Sequence, residues 1–209
     1  MARYKKNDLY FNEPTIDNCF VAGFIAADGC ITQHPRRGTM LSIKVTLTDN
    51  AILEHVKNSI QYEGVIHDHT PKIGRLQQEL KISASQKYAI DLEKHFNITP
   101  RKSLTLSGPN ITEEDHIKSF ICGYFEGDGC LTYNYKRLVI DFCCSKLFSD
   151  WLYEAIKQYT GVSSSIVFQN NTYHVKYSGN KARIVHDWMK SNKIKILQRK
   201  WERKYDKSI

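Results

Sequence analysis

The chain has 209 residues, 41% of them hydrophobic, enough apolar material for one large domain or two smaller ones. Thirty Lys and Arg against 22 Asp and Glu give a formal charge of +8 and a pI near 9.1, which favours a polyanionic partner over an acidic or neutral one. No apolar run is long enough to span a bilayer and no signal-peptide pattern follows Met1, so a soluble, intracellular protein with no membrane partner is expected, in a cytoplasm, a phage-infected cell or an organelle matrix.

Residues 1–18 are polar, with Arg3, Lys5 and Lys6, and read as a flexible arm. The stretch Phe20-Val-Ala-Gly-Phe-Ile-Ala-Ala-Asp-Gly-Cys-Ile-Thr32 predicts a helix capped by Asp17 or Asn18 and stopped by the glycine after Asp28. Residues 30–34 and 39–48, either side of Pro35-Arg-Arg-Gly38, predict a hairpin whose second strand turns Leu41, Ile43, Val45 and Leu47 inward and Ser42, Lys44 and Thr46 outward. An amphipathic helix is expected over 50–61, with Ile52, Leu53, Val56 and Ile60 at helical spacing. A second hairpin over 65–69 and 75–83 places Leu76, Leu80 and Ile82 inward and Arg75, Gln77, Glu79 and Lys81 outward. A helix over 85–96 ends a first half, 1–97, and residues 98–111, with Pro100, Gly108 and Pro109, form a linker to a second half, 112–209.

The second half repeats the plan. Phe120-Ile-Cys-Gly-Tyr-Phe-Glu-Gly-Asp-Gly-Cys-Leu-Thr132 matches the first apolar stretch at six of 13 positions, 100 residues later, which marks an internal duplication. Its helix is expected to be capped by Thr112. Hairpins follow over 131–135 with 137–145 and over 162–169 with 172–178, helices over 147–160 and 180–191, and a basic tail from Lys193. The fold class is therefore α+β: two αββαββα halves, each an antiparallel sheet with helices on one face. The six cysteines form no C-x-x-C pair and no zinc spacing, so free thiols in a reducing compartment are expected.

Gly23 and Ala27 are four apart, as are Gly123 and Gly127, so each repeat helix carries a small-residue face along which two backbones can approach closely. Packed side by side and parallel, the helices bring Asp28 and Asp128 to one end. A carboxylate there opposes the helix dipole, at a cost of about 0.3–1 kcal/mol each, and the pair repels itself. A hard divalent cation, held by carboxylate and carbonyl oxygens, would reverse both effects.

Val21-Ala-Gly-Phe-Ile-Ala-Ala-Asp-Gly29 and Ile121-Cys-Gly-Tyr-Phe-Glu-Gly-Asp-Gly129 resemble the LAGLIDADG motif of homing endonucleases, in the single-chain form with two motifs. One departure is the sixth motif position, often acidic in the family, which is Ala26 in one copy and Glu126 in the other. The resemblance implies a monomer whose two sheets form a curved saddle on double-stranded DNA. It implies that Asp28 and Asp128, with backbone oxygens at Ala27 and Gly127, hold Mg²⁺ or Mn²⁺, with Ca²⁺ expected to support binding without cleavage. Both strands of a long target would be cut to leave short 3′ overhangs. The family also places a basic residue beside each active site, for which Lys102 and Lys200 are the best matches and Arg101 and Arg199 the competitors.

Base contacts are expected on the outward residues Thr32, His34, Arg36, Ser42, Lys44, Thr46, His67, His69, Arg75 and Gln77, and on Thr132, Asn134, Lys136, Asp141, His174 and Lys176. Two alternatives use the same fold: a maturase whose partner is intron RNA, and a DNA-binding regulator without cleavage. Retention of both aspartates argues against the regulator.

Overall fold

The computed structural model describes residues 4–34, 38–71, 74–84 and 86–202. Helix α1 (Ile16–Asp28) begins in a capping box: Thr15 Oγ1 accepts the Asn18 N–H at 3.2 Å, and Asn18 Oδ1 accepts the Thr15 N–H at 2.8 Å. The cap is thus Thr15, and Asp17 and Asn18 lie within the first turn. The Asn18 side chain also donates to the Tyr10 and Glu13 carbonyls, Phe11 is buried against Tyr88 and Phe96, and the Asn7 N–H donates to Ile60 O. Residues 4–14 are therefore docked on the first half and are not the flexible arm expected.

Strands β1 (Gly29–His34) and β2 (Gly38–Thr46), helix α2 (Asn50–Ser59), strands β3 (Ile66–His69) and β4 (Gln77–Ala84) and helix α3 (Gln86–Phe96) complete the first half. After a 3₁₀ turn at Lys102–Leu104, the order recurs as α4 (Glu114–Asp128), β5 (Gly129–Asn134), β6 (Arg137–Cys144), α5 (Lys146–Thr160), β7 (Ser165–Gln169), β8 (Thr172–Ser178) and α6 (Asn180–Lys190). A short α7 (Gln198–Trp201) follows. The two antiparallel sheets have matching orders, β1-β2-β4-β3 and β5-β6-β8-β7. The fold is α+β with two αββαββα halves.

Register puts Ile31, Leu41 and Ile82 in one inward row and Ile43, Leu80 and Ile66 in the next, all but Ile66 buried beneath the helices. Tight two-residue turns close the second-half hairpins, with positive φ at Tyr135 and Lys136 and at Asn170 and Asn171, the conformation that matches strand twist. Some sequence expectations fail at strand ends. Leu47 opens a 3₁₀ turn and Leu76 precedes β4; both are exposed, not inward. Arg75 also lies before β4, and Lys136 sits in a turn, not on a strand. Glu79 points outward as expected but is 4% exposed, covered by Ser42, Lys44 and Lys81.

Helices α1 and α4 run parallel through the centre. Ser119 Oγ donates to Ile16 O at 2.6 Å near their starts, and Gly127 faces Ala27 near their ends. A Cβ added to Gly23 would lie 2.0 Å from Phe120 O, one on Gly123 1.9 Å from Phe20 O, and one on Gly127 2.4 Å from the Ala27 Cβ. The backbones meet where the small-residue faces are. Gly29 and Gly129 end the helices as expected, without a left-handed turn: their φ of −77° and −91° carry the chain straight into β1 and β5. Close approach requires glycine there, since a Cβ on Gly29 would stand 2.6 Å from Ile25 O and one on Gly129 2.1 Å from the Phe125 ring. The N-cap of α4 is Glu113, without a side-chain cap bond, and not Thr112.

Gly123→Ala puts a methyl group against a backbone carbonyl that cannot move without parting the helices, so a loss of about 2 kcal/mol or more is expected in urea or thermal unfolding. A loss below about 0.5 kcal/mol would show that the helices can part without cost.

Candidate active site at the paired helix ends

Because α1 and α4 are parallel and in register, Asp28 and Asp128 emerge side by side, close enough that the Asp128 charge acts on Asp28. The Asp28 carboxyl is pushed up to about 6, first by surrounding protein and then by Asp128, with Lys200 and Lys102 pulling the other way. Asp128 is raised by the same burial, against Lys102, Lys200 and the nearby Tyr124 hydroxyl. Asp28 remains open to solvent on its cleft side, so its repulsion is partly screened.

A lysine stands at each helix end. Lys102 Nζ donates to Ala27 O at 3.2 Å, and Lys200 Nζ donates to Gly127 O at 2.5 Å and Phe125 O at 3.3 Å. The two carbonyls come from corresponding motif positions, and the two lysines from the segments after α3 and after α6. Burial pulls both ammonium groups down, and both aspartates oppose it. The competing cations are engaged elsewhere or turned away. Arg199 forms a two-pronged ion pair with Asp49 of the first half, its Nε 2.6 Å from Oδ1, and Arg101 is exposed in a left-handed conformation that starts the 3₁₀ turn. The guanidinium holds Asp49 below the usual carboxylate range despite its burial.

Glu126 and Asp49 have no role in the sequence reading. Glu126 is visible there only as a departure from Ala26, because its partners lie 70 or more residues away. Its carboxylate accepts from the Ile196 N–H at 2.7 Å, the Leu197 N–H at 2.9 Å and Trp201 Nε1 at 2.7 Å. Burial raises its carboxyl, and these three donors offset part of that rise.

A cleft of about 200 Å³ joins Asp28, Gly127 and Lys200 to Lys44, Thr46 and Gln77 on the outward face of the first sheet. Pairing places Cys30, Ser42 and Lys81 in one outward row, Lys44, Glu79 and His67 in a second, and Thr46, Gln77 and His69 in a third. Thr32, Lys44 and His67 are exposed there, while Ser42 donates to Glu79 Oε1 at 2.6 Å and Thr46 to Asp49 Oδ2 at 3.1 Å. In the second sheet Thr132, Asn134, Asp141, His174 and Lys176 share the outward face. Asp141 holds His174 at 3.0 Å and Lys176 at 3.4 Å. Arg137, exposed opposite Asn134 and on the same face as Asp141 by alternation, joins this face although it is not among the expected contacts. Arg36 and the His34 side chain lie outside the described residues. Among the described residues no helix is long and apolar enough to cross a membrane, and no group of three His, Cys, Asp or Glu gathers to hold a metal. The cysteines among them are free.

No family model matches the chain, and no curated protein matches it in sequence. Solved structures resemble it closely in fold. The I-LtrWI LAGLIDADG homing endonuclease bound to target DNA is 13% identical, with a TM-score of 0.60 over 88% of this chain and 86% of that one. The homing endonuclease I-WcaI bound to its DNA recognition sequence is 13% identical, with a TM-score of 0.63 over 94% and 92%. The N-terminal LAGLIDADG domain of DUF199/WhiA, also 13% identical, superposes with a TM-score of 0.58 over 90% and 88%. The chain has the two-half LAGLIDADG fold.

A carboxyl raised in the folded protein favours folding below its unfolded pKa, and that contribution is lost as pH rises through the folded value. Metal-free protein should therefore lose stability between about pH 4 and the folded value near 6 through Asp28, and Asp28→Asn should remove the loss. At pH 7.5 in EDTA, after allowance for solvent screening, the variant should gain on the order of 0.5 kcal/mol in thermal unfolding, a gain that vanishes near pH 4. A variant less stable than the parent at pH 7.5 would contradict the repulsion.

Proposed function

We propose that this chain is a site-specific DNA endonuclease that cuts both strands of a duplex laid across its two sheets, using a divalent metal. The observation that carries the reading is the pairing of Asp28 and Asp128 at the helix ends with one lysine on each motif carbonyl. A protein that only binds DNA gains nothing from two carboxylates turned toward phosphates, and the structural neighbours include homing endonucleases with DNA bound.

The donor set fits a hard divalent cation. Its atoms are all oxygen, and burial raises both the Asp28 and Asp128 carboxyls, with the Asp128 charge adding to the rise at Asp28, so a cation that favours the ionised forms is stabilised there. Two carboxylates suit Mg²⁺ or Mn²⁺, which keep waters and take phosphate oxygens for the remaining positions. The carboxylates would be the principal ligands, because the Ala27 and Gly127 carbonyls already accept from lysines. When bound, the metal supplies Lewis-acid stabilisation of the phosphoryl charge and a water of lowered pKa.

The chain's own residues do the rest. Asp28 and Asp128 orient the scissile phosphates and fix the water's direction. Lys102 and Lys200, held against backbone carbonyls, place a positive charge where the pentavalent transition state gathers negative charge. The outward sheet faces bind the flanking duplex: Lys44 and Arg137 through phosphates, and Thr32, His67, Gln77, Thr132 and Asn134 through base edges.

The test is cleavage of a duplex joining the sequences that flank this gene's element, with Mg²⁺ and with EDTA. Double-strand cutting should need the metal, and Asp28→Asn or Asp128→Asn should abolish it while duplex binding persists. Lys102→Met and Lys200→Met should each slow cutting on the order of 10²-fold without loss of binding. Tight binding with no cut in Mg²⁺ or Mn²⁺ would replace the enzymatic reading with that of a DNA-binding protein.

A further inference from the structure

The two lysines are held by different means. Lys200 lies one residue before Trp201, and the whole segment 196–201 hangs from one carboxylate. Glu126 Oε1 accepts both the Ile196 N–H and Trp201 Nε1, and Oε2 accepts the Leu197 N–H, so three donors on that segment converge on one buried residue of α4. The Trp201 ring packs on Phe125, one residue away. A second tether comes from the other half, where Asp49 grips Arg199, the residue just before Lys200. Among the described residues the first half has no such carboxylate: the position matching Glu126 is Ala26, and the Lys102 turn is held instead by the Thr105 and Leu106 N–H groups on Lys102 O and by Ser145 Oγ on Leu106 O, with Lys102 Nζ on Ala27 O.

We infer that Glu126 is a positioning residue for Lys200, that Asp49 assists it from the opposite half, and that the two half-sites are built unequally so that each strand's cut depends on a different set of contacts. The inference rests on the nuclease reading for its consequence but not for its geometry. Glu126 borders the cleft but is 1% exposed, and its carboxylate oxygens are taken up by donors of the 196–201 segment, so it acts through Lys200.

Glu126→Gln keeps the shape, but its amide nitrogen cannot accept. Of the three converging donors, one backbone N–H is left facing another donor, and the segment loosens. Trp201→Phe removes only the indole N–H and keeps an aromatic ring against Phe125.

The first measurement needs no DNA. Metal-free protein is treated briefly with acetic anhydride, and acylation of Lys200 and Lys102 is compared by mass spectrometry. In Glu126→Gln the Lys200 rate should rise severalfold with Lys102 unchanged, and Trp201→Phe should show the same selectivity with a smaller rise. The second measurement follows each strand of an end-labelled duplex in Mg²⁺. Glu126→Gln should slow one strand on the order of tenfold and leave the other near the parent rate, so that nicked duplex accumulates.

Equal acylation changes at both lysines, or none at either, would overturn the positioning role. Equal slowing of both strands would overturn the inequality of the half-sites. If the parent protein cuts no DNA, the nuclease reading fails while acylation still decides what Glu126 does. If Glu126→Gln does not fold, the selectivity of Trp201→Phe decides.

Discussion

The fold depends on one contact: two helices whose backbones touch. Gly23 lies under the Phe120 carbonyl and Gly123 under that of Phe20, a distance at which no Cβ fits on either side. That closeness sets the spacing of everything attached to the helix ends. A side chain at either glycine would part the helices, and the carboxylates with them. The same closeness sends the buried rings around the seam: Phe20 packs on His55, Tyr124 on Phe148, and Phe120 on Phe148 and Trp151 of its own half and on Phe96 of the other. The apolar core is thus one body divided by a backbone seam, and the fusion of two halves is a matter of packing as much as of covalent linkage.

The seam creates an electrostatic problem at its open end. Helix dipoles, two carboxylates and two exposed carbonyls place negative charge in one cleft, and the fold answers with two lysines drawn from distant segments. The formal charges balance, but the water lost is not replaced: burial keeps both aspartates raised and both lysines lowered. A site tuned for stability alone would carry neutral residues there. Ionised groups stripped of water gain from a ligand that replaces it, and the carboxylate oxygens favour a hard cation.

Much of this was legible in the sequence, for physical reasons that differ by element. The duplicated helices, their small-residue faces and the converging aspartates follow from spacing alone, since helical periodicity fixes which residues share a face. Strand faces followed from alternation, and failed at Leu47 and Leu76 because alternation says nothing about where a strand stops. Caps misread at Thr15 and Glu113 lie within three residues of the expected ones; several polar residues compete there, and only the bonds decide. Docking of residues 4–14 was hidden because Phe11 and Asn18 act through partners at Tyr88, Phe96 and Tyr10 that no local pattern reveals. Glu126 was hidden in the same way, its donors being far along the chain.

The outward faces show a common device that bears on how a basic protein of this fold could discriminate among duplexes. In the first sheet Glu79 is wrapped by Lys44, Lys81 and Ser42, and in the second Asp141 is held by His174 and Lys176. Each acid lies in the middle of the face, where a duplex would press closest. Phosphate attraction alone is indifferent to sequence, so a face of free lysines would bind any DNA. An acid at its centre draws those cations into fixed positions and repels a backbone that approaches out of register. The partial neutralisation lowers indiscriminate affinity and leaves the hydrogen-bonding groups to decide, which is how repulsion built into a surface raises specificity.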